Sequence, residues 1–189
     1  MFSAILGSQA VAPLRYGDFR ILVGVSMLNM VGMLGGQVAI GWFVLELTDS
    51  PFMVAIALAL RMLPNFLLGV PAGATADIVD RRRLIQTTNL LMAFPPIAVG
   101  LLVAFDRADL WHVLALMALG GVFQVFSMTA RSSLAFDITG PSGVVQALTL
   151  MRLTGGVGGL VGSIVIGTVT ARVGIDAAFF VLGGSYALA

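Results

Sequence analysis

The sequence predicts an all-α membrane protein, a six-helix transmembrane bundle whose sixth helix is truncated. Hydrophobic residues make up 59% of the 189-residue chain and charged residues only 10%, whereas a soluble domain carries about 25% charged residues. Five nearly uncharged runs are also long enough to cross the hydrocarbon core, which takes roughly 20 helical residues. We therefore expect a cytoplasmic N-terminal segment, residues 1–20, followed by one transmembrane bundle over residues 21–189.

The predicted spans follow one another with short polar breaks. Glu46 and Asp49 end the first, Arg61 is the one charge within the second, and Arg152 lies in the first third of the fifth. The last run is too short to cross about 30 Å and no polar residue closes it, so we expect the chain to be cut off inside its sixth helix. The predicted helices cover residues 21–45, 51–76, 84–105, 110–130, 143–171 and 175–189.

Composition excludes several kinds of site. The net charge is +1, so no strong positive field would attract nucleic acid. The chain has no cysteine and one histidine, His112, which excludes thiolate and multi-histidine metal sites, and we expect no cofactor. An enzyme is disfavoured because the spans contain no pair of acids and no Ser/His pairing at a common depth. A G-x-x-x-x-G-K signature for nucleotide binding is also missing from the sequence.

The distribution of arginine predicts the orientation, because cytoplasmic loops are enriched in positive charge. With the N-terminus inside the cell, only Arg107 and Arg172 lie on the outer side. We expect a multi-pass protein of the plasma (inner) membrane, in contact with its lipids and with a cytoplasmic N-terminus. The six arginines on the inner side are Arg15, Arg20, Arg81, Arg82, Arg83 and Arg131.

The densest group of charges is the stretch GATADIVDRRR, residues 73–83, between the second and third spans. It resembles the loop between helices 2 and 3 of major facilitator superfamily transporters, which carries Gly, three residues, Asp and then a basic cluster. The longer stretch LRMLPNFLLGVPAGATADIVDRRRLI is similar to the branch that includes drug exporters and the enterobactin exporter, although Ile78 stands where that branch usually has Arg. The matching loop residues are Gly73, Asp77, Asp80, Arg81, Arg82 and Arg83.

Three further stretches extend this resemblance over nearly the whole chain. The sequence TARSSLAFDITGPSGVVQALTL, residues 129–150, matches the region after helix 4, with Arg131 and Asp137 in place. The link ELTDSP, residues 46–51, is similar to the connection between helices 1 and 2. The segment GGLVGS, residues 158–163, stands at the antiporter motif of helix 5 but lacks its proline.

The resemblance implies a twelve-helix transporter built from two six-helix halves, with the substrate between them at the midplane. This chain would be the N-terminal half, and its partner would be the missing C-terminal six-helix half. The implied function is secondary active transport by alternating access, as an exporter of small organic molecules such as drugs or siderophores. The alternative is a non-transporting, half-length membrane protein that acts by assembly or binding. The sequence leaves open whether the chain is a fragment, a truncated gene product or one part of a split gene.

Two predicted groups of site residues follow. Asp77 and Arg131 fall at the inner ends of predicted helices 2 and 4, where an ion pair could form in one conformation, the outward-facing one, and break in another. The alternative is that Arg81, Arg82 and Arg83 only set the topology and contact anionic headgroups.

Arg61 is the most unusual residue in the spans. Ten positions past Pro51, it lies about 15 Å into the membrane, where a charge is costly. With no acid at that depth, its partner would be a polar side chain, a backbone carbonyl, the missing half or an anionic substrate; otherwise it snorkels along a bundle seam. Other polar side chains within the spans, Asn65 among them, either stabilise packing or contact substrate. The substrate-binding candidates are Asn29, Gln37, Arg61, Gln124 and Arg152.

Overall fold

The computed structural model describes residues 12–189, and this part of the chain folds into five α-helices with no β-strand. A 3-10 turn precedes them, and residues 1–11 of the predicted N-terminal segment lie outside the described residues. The first four helices are each long and apolar enough to cross a membrane. The elements are a turn at Ala12–Arg15, then α1 Gly17–Thr48, α2 Pro51–Ile78, α3 Arg81–Ala104, α4 Leu110–Arg172 and α5 Ile175–Leu188.

Local sequence explains where the helices begin and end. Pro51 is the first residue of α2, where its missing N–H costs no helical hydrogen bond. Asp80 precedes α3 and accepts a hydrogen bond from the backbone N–H of Arg83 at 3.0 Å, which caps the helix. The predicted start of the first helix, residue 21, is wrong by four positions, because α1 already begins at Gly17.

The fourth and fifth predicted helices form one element, so the prediction of six separate helices is not matched. We expected a loop over residues 131–142, but α4 runs through it for 63 residues, interrupted only at Gly140. Gly140 has a φ of 68° and a ψ of 178°, a left-handed conformation that glycine adopts without steric cost. The predicted end at residue 130 is wrong because a charged side chain, Arg131, was taken for the boundary of the membrane.

The two arms of α4, residues 110–139 and 141–172, fold back on each other. A straight helix of that length would reach about 95 Å, three times the thickness of the hydrocarbon core. Val113 of the first arm and Ile166 of the second belong to the same buried cluster, whereas Ala130 and Ala147 share another. The arms are therefore antiparallel, and each can cross the membrane once.

Glycines bring α1 and the second arm of α4 into backbone contact. A Cβ atom on Gly158 would lie 2.6 Å from the carbonyl oxygen of Met27, and one on Gly162 would lie 2.5 Å from that of Val31. The glycine-rich run of residues 155–167 is thus a helix contact face, as is common where packing rather than hydrophobic burial joins membrane helices.

The last helix, α5, is short but well packed. Its 14 residues extend about 21 Å, and its bounds agree with the predicted range 175–189 to within one residue. The ring of Phe179 meets that of Phe43 edge-on at a centroid distance of 5.9 Å. This packing carries Tyr186, near the end of α5, into the interior of the bundle.

Candidate functional site

The loop between α2 and α3 consists of Val79 and Asp80 alone. The hydrogen bond that the Arg83 amide donates to Asp80 favours the carboxylate and holds the pKa of Asp80 below its usual value. Asp80 thus carries a negative charge at the start of α3, where the helix dipole favours it. Arg83 itself is exposed and provides the backbone amide of the cap.

Two neighbouring arginines connect this loop to other helices. Arg81 forms an ion pair with Asp137, and Arg82 forms one with Asp18. Arg81 also lies 3.6 Å from the carboxylate of Asp77 and donates from Nε to the carbonyl of Ala76 at 3.1 Å. Because Asp137 lies near the end of the first arm of α4 and Asp18 near the start of α1, the two pairs connect α3 to both, and the contact of Arg81 with Asp77 adds α2. We call Asp18, Arg81, Arg82 and Asp137 the charged clasp.

The predicted pair of Asp77 and Arg131 is not formed in this conformation. The side chain of Asp77 is 72% exposed and its nearest basic group is Arg81. Arg131 is only 8% exposed, and its Nε donates to the carbonyl of Ser127 at 3.3 Å. Since the first arm of α4 continues for eight residues beyond Arg131, that residue lies inside the arm rather than at its end. Gly73 has open space around its Cα, so no close approach requires a glycine there in this conformation.

Arg61 forms a polar network inside the bundle. Its Nη2 donates to the hydroxyl of Tyr186 at 3.2 Å and to Oε1 of Gln124 at 3.4 Å, and its Nη1 donates to the carbonyl of Met33 at 3.5 Å. Two of the partners left open by the sequence, a polar side chain and a backbone carbonyl, are therefore both present. The network joins α2 to α1, α4 and α5 through one guanidinium.

Three glycines leave the space that this network occupies. A Cβ atom on Gly36 would lie 3.0 Å from Nη1 of Arg61, and one on Gly32 would lie 2.5 Å from the ring of Tyr186. A Cβ atom on Gly121 would lie 2.3 Å from the backbone oxygen of Arg61, so α2 and α4 touch at this point. The position of Arg61 thus depends on close helix packing as well as on its hydrogen bonds.

Arg61 also separates two small cavities. One, of about 30 Å³, extends towards Phe179 and Tyr186. The other, of about 100 Å³, is lined by Gln37, Asn65 and Gln124 together with Arg61. The structure therefore brings the predicted candidates Gln37, Arg61 and Gln124 to one cavity wall, and Asn65 joins them.

The remaining substrate-binding candidates, Asn29 and Arg152, line a third cavity of about 120 Å³, together with the predicted gating residue Arg131. Five methionines form most of its apolar wall, and Gln124 and Ser26 also reach it. The Nδ2 of Asn29 donates to the carbonyl of Val25 at 3.0 Å, while its Oδ1 is buried without a partner. The predicted substrate-binding residues are thus divided between two cavities on α1 and α4, with Gln124 in both.

Four polar residues of the interior escaped the sequence analysis. The hydroxyl of Ser127 donates to Oδ1 of Asn89 at 3.0 Å in a buried contact between α4 and α3. Ser26 lines the third cavity, and Tyr186 accepts from Arg61. Asn89 could have been found, because an amide inside a predicted span is unusual. Tyr186 could not, because its run is too short to predict which residues face inwards.

Comparisons with known proteins agree with this architecture. The sequence profile of the family described as "Transmembrane secretion effector" matches residues 8–188. The Staphyloferrin A transporter of Staphylococcus aureus (strain NCTC 8325 / PS 47) is 26% identical over 125 residues, which cover 66% of this chain and 32% of that protein. The Multidrug efflux pump Tap of Mycolicibacterium fortuitum is 31% identical over 109 residues, 56% of this chain and 27% of the pump. The chain thus spans a third or less of the length of these relatives, and no solved structure matches it significantly.

Proposed function

We propose that this chain, which belongs to the transmembrane secretion effector family of the major facilitator superfamily, forms the N-terminal helices of a secondary transporter that exports small organic molecules. The family consists of transporters and not of enzymes, and this chain is a multi-pass membrane protein with four spanning candidates. Export is favoured over import because the Multidrug efflux pump Tap is 31% identical over the matched region. The resemblance to twelve-helix transporters makes a C-terminal six-helix half the proposed partner.

The observation that carries the proposal of alternating access is the charged clasp. Its acids and arginines are 29–62% exposed, and exposed ion pairs typically contribute only about 0.2–1 kcal/mol. Contacts that weak can break and re-form while the bundle stays folded. In the proposed mechanism the clasp holds the loop between α2 and α3 against α1 and α4 in one conformation and releases it in the other. A pair between Asp77 and Arg131 in the outward-facing conformation stays a prediction.

We propose that the substrate path passes the two cavity walls that carry Asn29, Gln37, Arg61, Gln124 and Arg152. These walls lie on α1, α2 and both arms of α4. Each cavity, at about 100 to 120 Å³, is smaller than the roughly 300–1,000 Å³ of a small-molecule site. The remaining volume and the opposite wall would come from the C-terminal half.

We further propose that the protein lies in the plasma (inner) membrane with its N-terminus and the charged clasp in the cytoplasm. Without the buried Arg131, five arginines lie on the proposed inner side and two on the outer side, which supports this orientation. Since the chain has no cysteine, single cysteines at Ile78 and at Ala108 can be tested with an impermeant thiol reagent on intact cells. We expect labelling at position 108 but not at position 78, and the reverse pattern would contradict the orientation.

An efflux assay tests the transport proposal. The complete product of the gene is expressed in cells loaded with the anionic dye carboxyfluorescein, and the rate of dye loss is compared with that of cells carrying an empty vector. We expect faster loss with the wild type, a lower rate for Arg81→Gln and for Asp137→Asn, and recovery when the charges are exchanged in Arg81→Asp with Asp137→Arg. Arg107→Gln, on the proposed outer side, is the matched control.

The results of the efflux assay distinguish the gating role of the clasp from the export function itself. If the clasp variants export at the wild-type rate, the clasp is not a gate and only its topological role remains. If several neutral, cationic and anionic test compounds all leave the cells no faster than with the empty vector, export itself is contradicted. A non-transporting role by assembly or binding would then be favoured.

A further inference from the structure

We infer that the cavity between α1 and α4 is a binding site for the head group of an amphipathic anion, with Arg131 and Arg152 as its cationic residues. This inference rests on the proposed transport function and names the chemical class of its substrate. The cavity measures about 120 Å³, roughly four times the share of liquid volume that one water molecule takes. It can therefore hold a carboxylate and a few carbon atoms rather than a whole substrate.

The charges that line this cavity are all of one sign. Arg131 and Arg152 both line it, and none of its lining residues within the described part of the chain is an acid. The clasp carboxylate of Asp137 is already paired with Arg81. The buried guanidinium of Arg131 has no counter-ion among the described residues, which is unfavourable. An anion that contacts both Arg131 and the exposed Arg152 removes this cost.

The buried arginine is only partly satisfied by the protein. Arg131 is 8% exposed, and among the described residues its single hydrogen bond runs from Nε to the carbonyl of Ser127. Its two terminal nitrogens thus keep their donors for a ligand, in the planar arrangement that binds a carboxylate through two parallel hydrogen bonds. Arg61 differs in this respect, because its terminal nitrogens already donate to Tyr186, Gln124 and Met33.

Two other residues that line this cavity each carry a buried polar atom without a hydrogen-bond partner among the described residues. The hydroxyl of Ser26 can donate to an anion, and Oδ1 of Asn29 can accept from a hydroxyl or an N–H beside the anionic group. Buried polar atoms are rarely left without a hydrogen bond. A polar group of a ligand in the cavity that Ser26, Asn29 and Arg131 line together would provide such a partner.

The rest of the cavity wall favours an apolar body on the same ligand. Five of the ten methionines of the chain line it, and Met128, like Arg152, is exposed at its mouth. Methionine side chains are unbranched and polarizable and adapt to ligands of different shape. We therefore expect the anionic group to bind between the arginines while the apolar part projects along the methionines. The five methionines are Met30, Met33, Met92, Met128 and Met151.

A binding assay tests this inference without requiring transport. The full chain is reconstituted in phosphatidylcholine nanodiscs and titrated with the fluorescent probe 11-(dansylamino)undecanoate and with its neutral methyl ester. We expect the acid to bind at least tenfold more tightly than the ester. Arg152→Gln, an exposed change that leaves the buried core intact, should weaken binding of the acid about tenfold and leave the ester unchanged. Arg172→Gln, at the far end of the same helical arm, should change neither.

Further measurements test the role of Arg131 and identify the chemical source of the anionic head group. Arg131→Lys keeps the charge but loses the planar donors, so it should weaken binding of the acid severalfold. Competition with decanoate and with dioctanoyl phosphatidylglycerol distinguishes a soluble carboxylate from a lipid phosphate, since only the true class of ligand displaces the probe at low concentration.

Equal affinity of acid and ester for the wild type would overturn the inference, and so would equal effects of Arg152→Gln and Arg172→Gln. Either result would leave the proposed transport function standing, because the assay measures binding alone. Conversely, a failure of carboxyfluorescein export would contradict the transport proposal without changing the affinities measured in the titration.

Discussion

The arginines of the charged clasp and the arginines inside the bundle are stabilised in different ways. Arg81 and Arg82 each face a carboxylate at the exposed end of the helices. Among residues 12–189, the hydrogen-bond partners of Arg61 and Arg131 are all neutral, namely an amide, a phenol hydroxyl and backbone carbonyls. The difference indicates which ion pairs can break during a conformational change. An exposed pair breaks at little cost, whereas an interior guanidinium held by neutral dipoles depends on the fixed geometry of the helices around it.

The largest effect should come from Gly121→Ala, which tests the fixed geometry around Arg61. The added Cβ would lie 2.3 Å from the backbone oxygen of Arg61, so α2 and α4 must separate. We expect a loss of about 3 kcal/mol in the free energy of unfolding, the upper part of the usual range for overpacking. The measurement is helix content during unfolding by sodium dodecyl sulfate in mixed micelles. Gly120→Ala is the matched control, because its Cβ would meet Pro95 only at an ordinary 3.7 Å.

The next effect concerns the hydrogen bonds of the interior arginine. Tyr186→Phe removes the hydroxyl that accepts from Arg61 at 3.2 Å and should cost about 1.5 kcal/mol, as expected for a hydrogen bond to a charged group. The same unfolding assay measures it, and Tyr16→Phe, at the half-exposed second tyrosine, is the control. If the two variants are equally stable, Arg61 is not held by Tyr186 and the contrast between the two regions is weakened.

A smaller effect is expected in the charged clasp. In a double-mutant cycle of Arg81→Gln and Asp137→Asn, the coupling free energy should be about 0.2–1 kcal/mol. It should decrease as salt is raised from 0.05 to 0.5 M, because screening acts on exposed charges. Tyr186→Phe should show no such dependence on salt. A coupling free energy above about 3 kcal/mol, or one that does not change with salt, would mean that the clasp pairs are shielded from solvent like the interior arginines.

The smallest effect is expected at the helix cap. The pKa of Asp80 is lower in the folded state than its ordinary value of 3.8. The ionised carboxylate therefore stabilises the fold at pH values above 3.8, and this contribution is lost as the pH falls through the lower pKa of the folded state. Asp80→Ala should therefore be slightly less stable than the wild type at pH 7, with the difference shrinking in acid. Asp80→Asn keeps a capping oxygen and should lose less. A difference that grows below pH 4 would contradict the assignment.

Much of the fold could be predicted because the ends of its helices depend on residues that are close together in the sequence. The ends of α2 and α3 lie within three residues of the predicted ones, since Pro51 and Asp80 act on their own neighbours. The bend of α4 could not be placed as well. Arg131 resembles a membrane boundary in the sequence, whereas the folded protein buries it, and the true break at Gly140 depends on how the two arms pack.

The site was predicted in part. Arg61 and Gln124 were recognised as polar residues inside spans, and they are bonded to each other although 63 positions apart. Tyr186, 125 positions from Arg61, was missed, because α5 is too short to show an inward face. The pair of Asp77 and Arg131 was inferred from two predicted helix ends, and only one of those residues lies at an end.

The sequence by itself determined that this protein is helical, that it lies in a membrane and that its charges gather at helix ends, because length and local composition govern the transfer of a segment into lipid. Only the tertiary structure decided which partners each arginine has. That choice depends on which helix faces meet, and the faces meet where glycines such as Gly121 and Gly162 let the backbones approach. Hydrogen bonds reach only about 3 Å, so a shift of one helical turn would give Arg61 and Arg131 different neighbours.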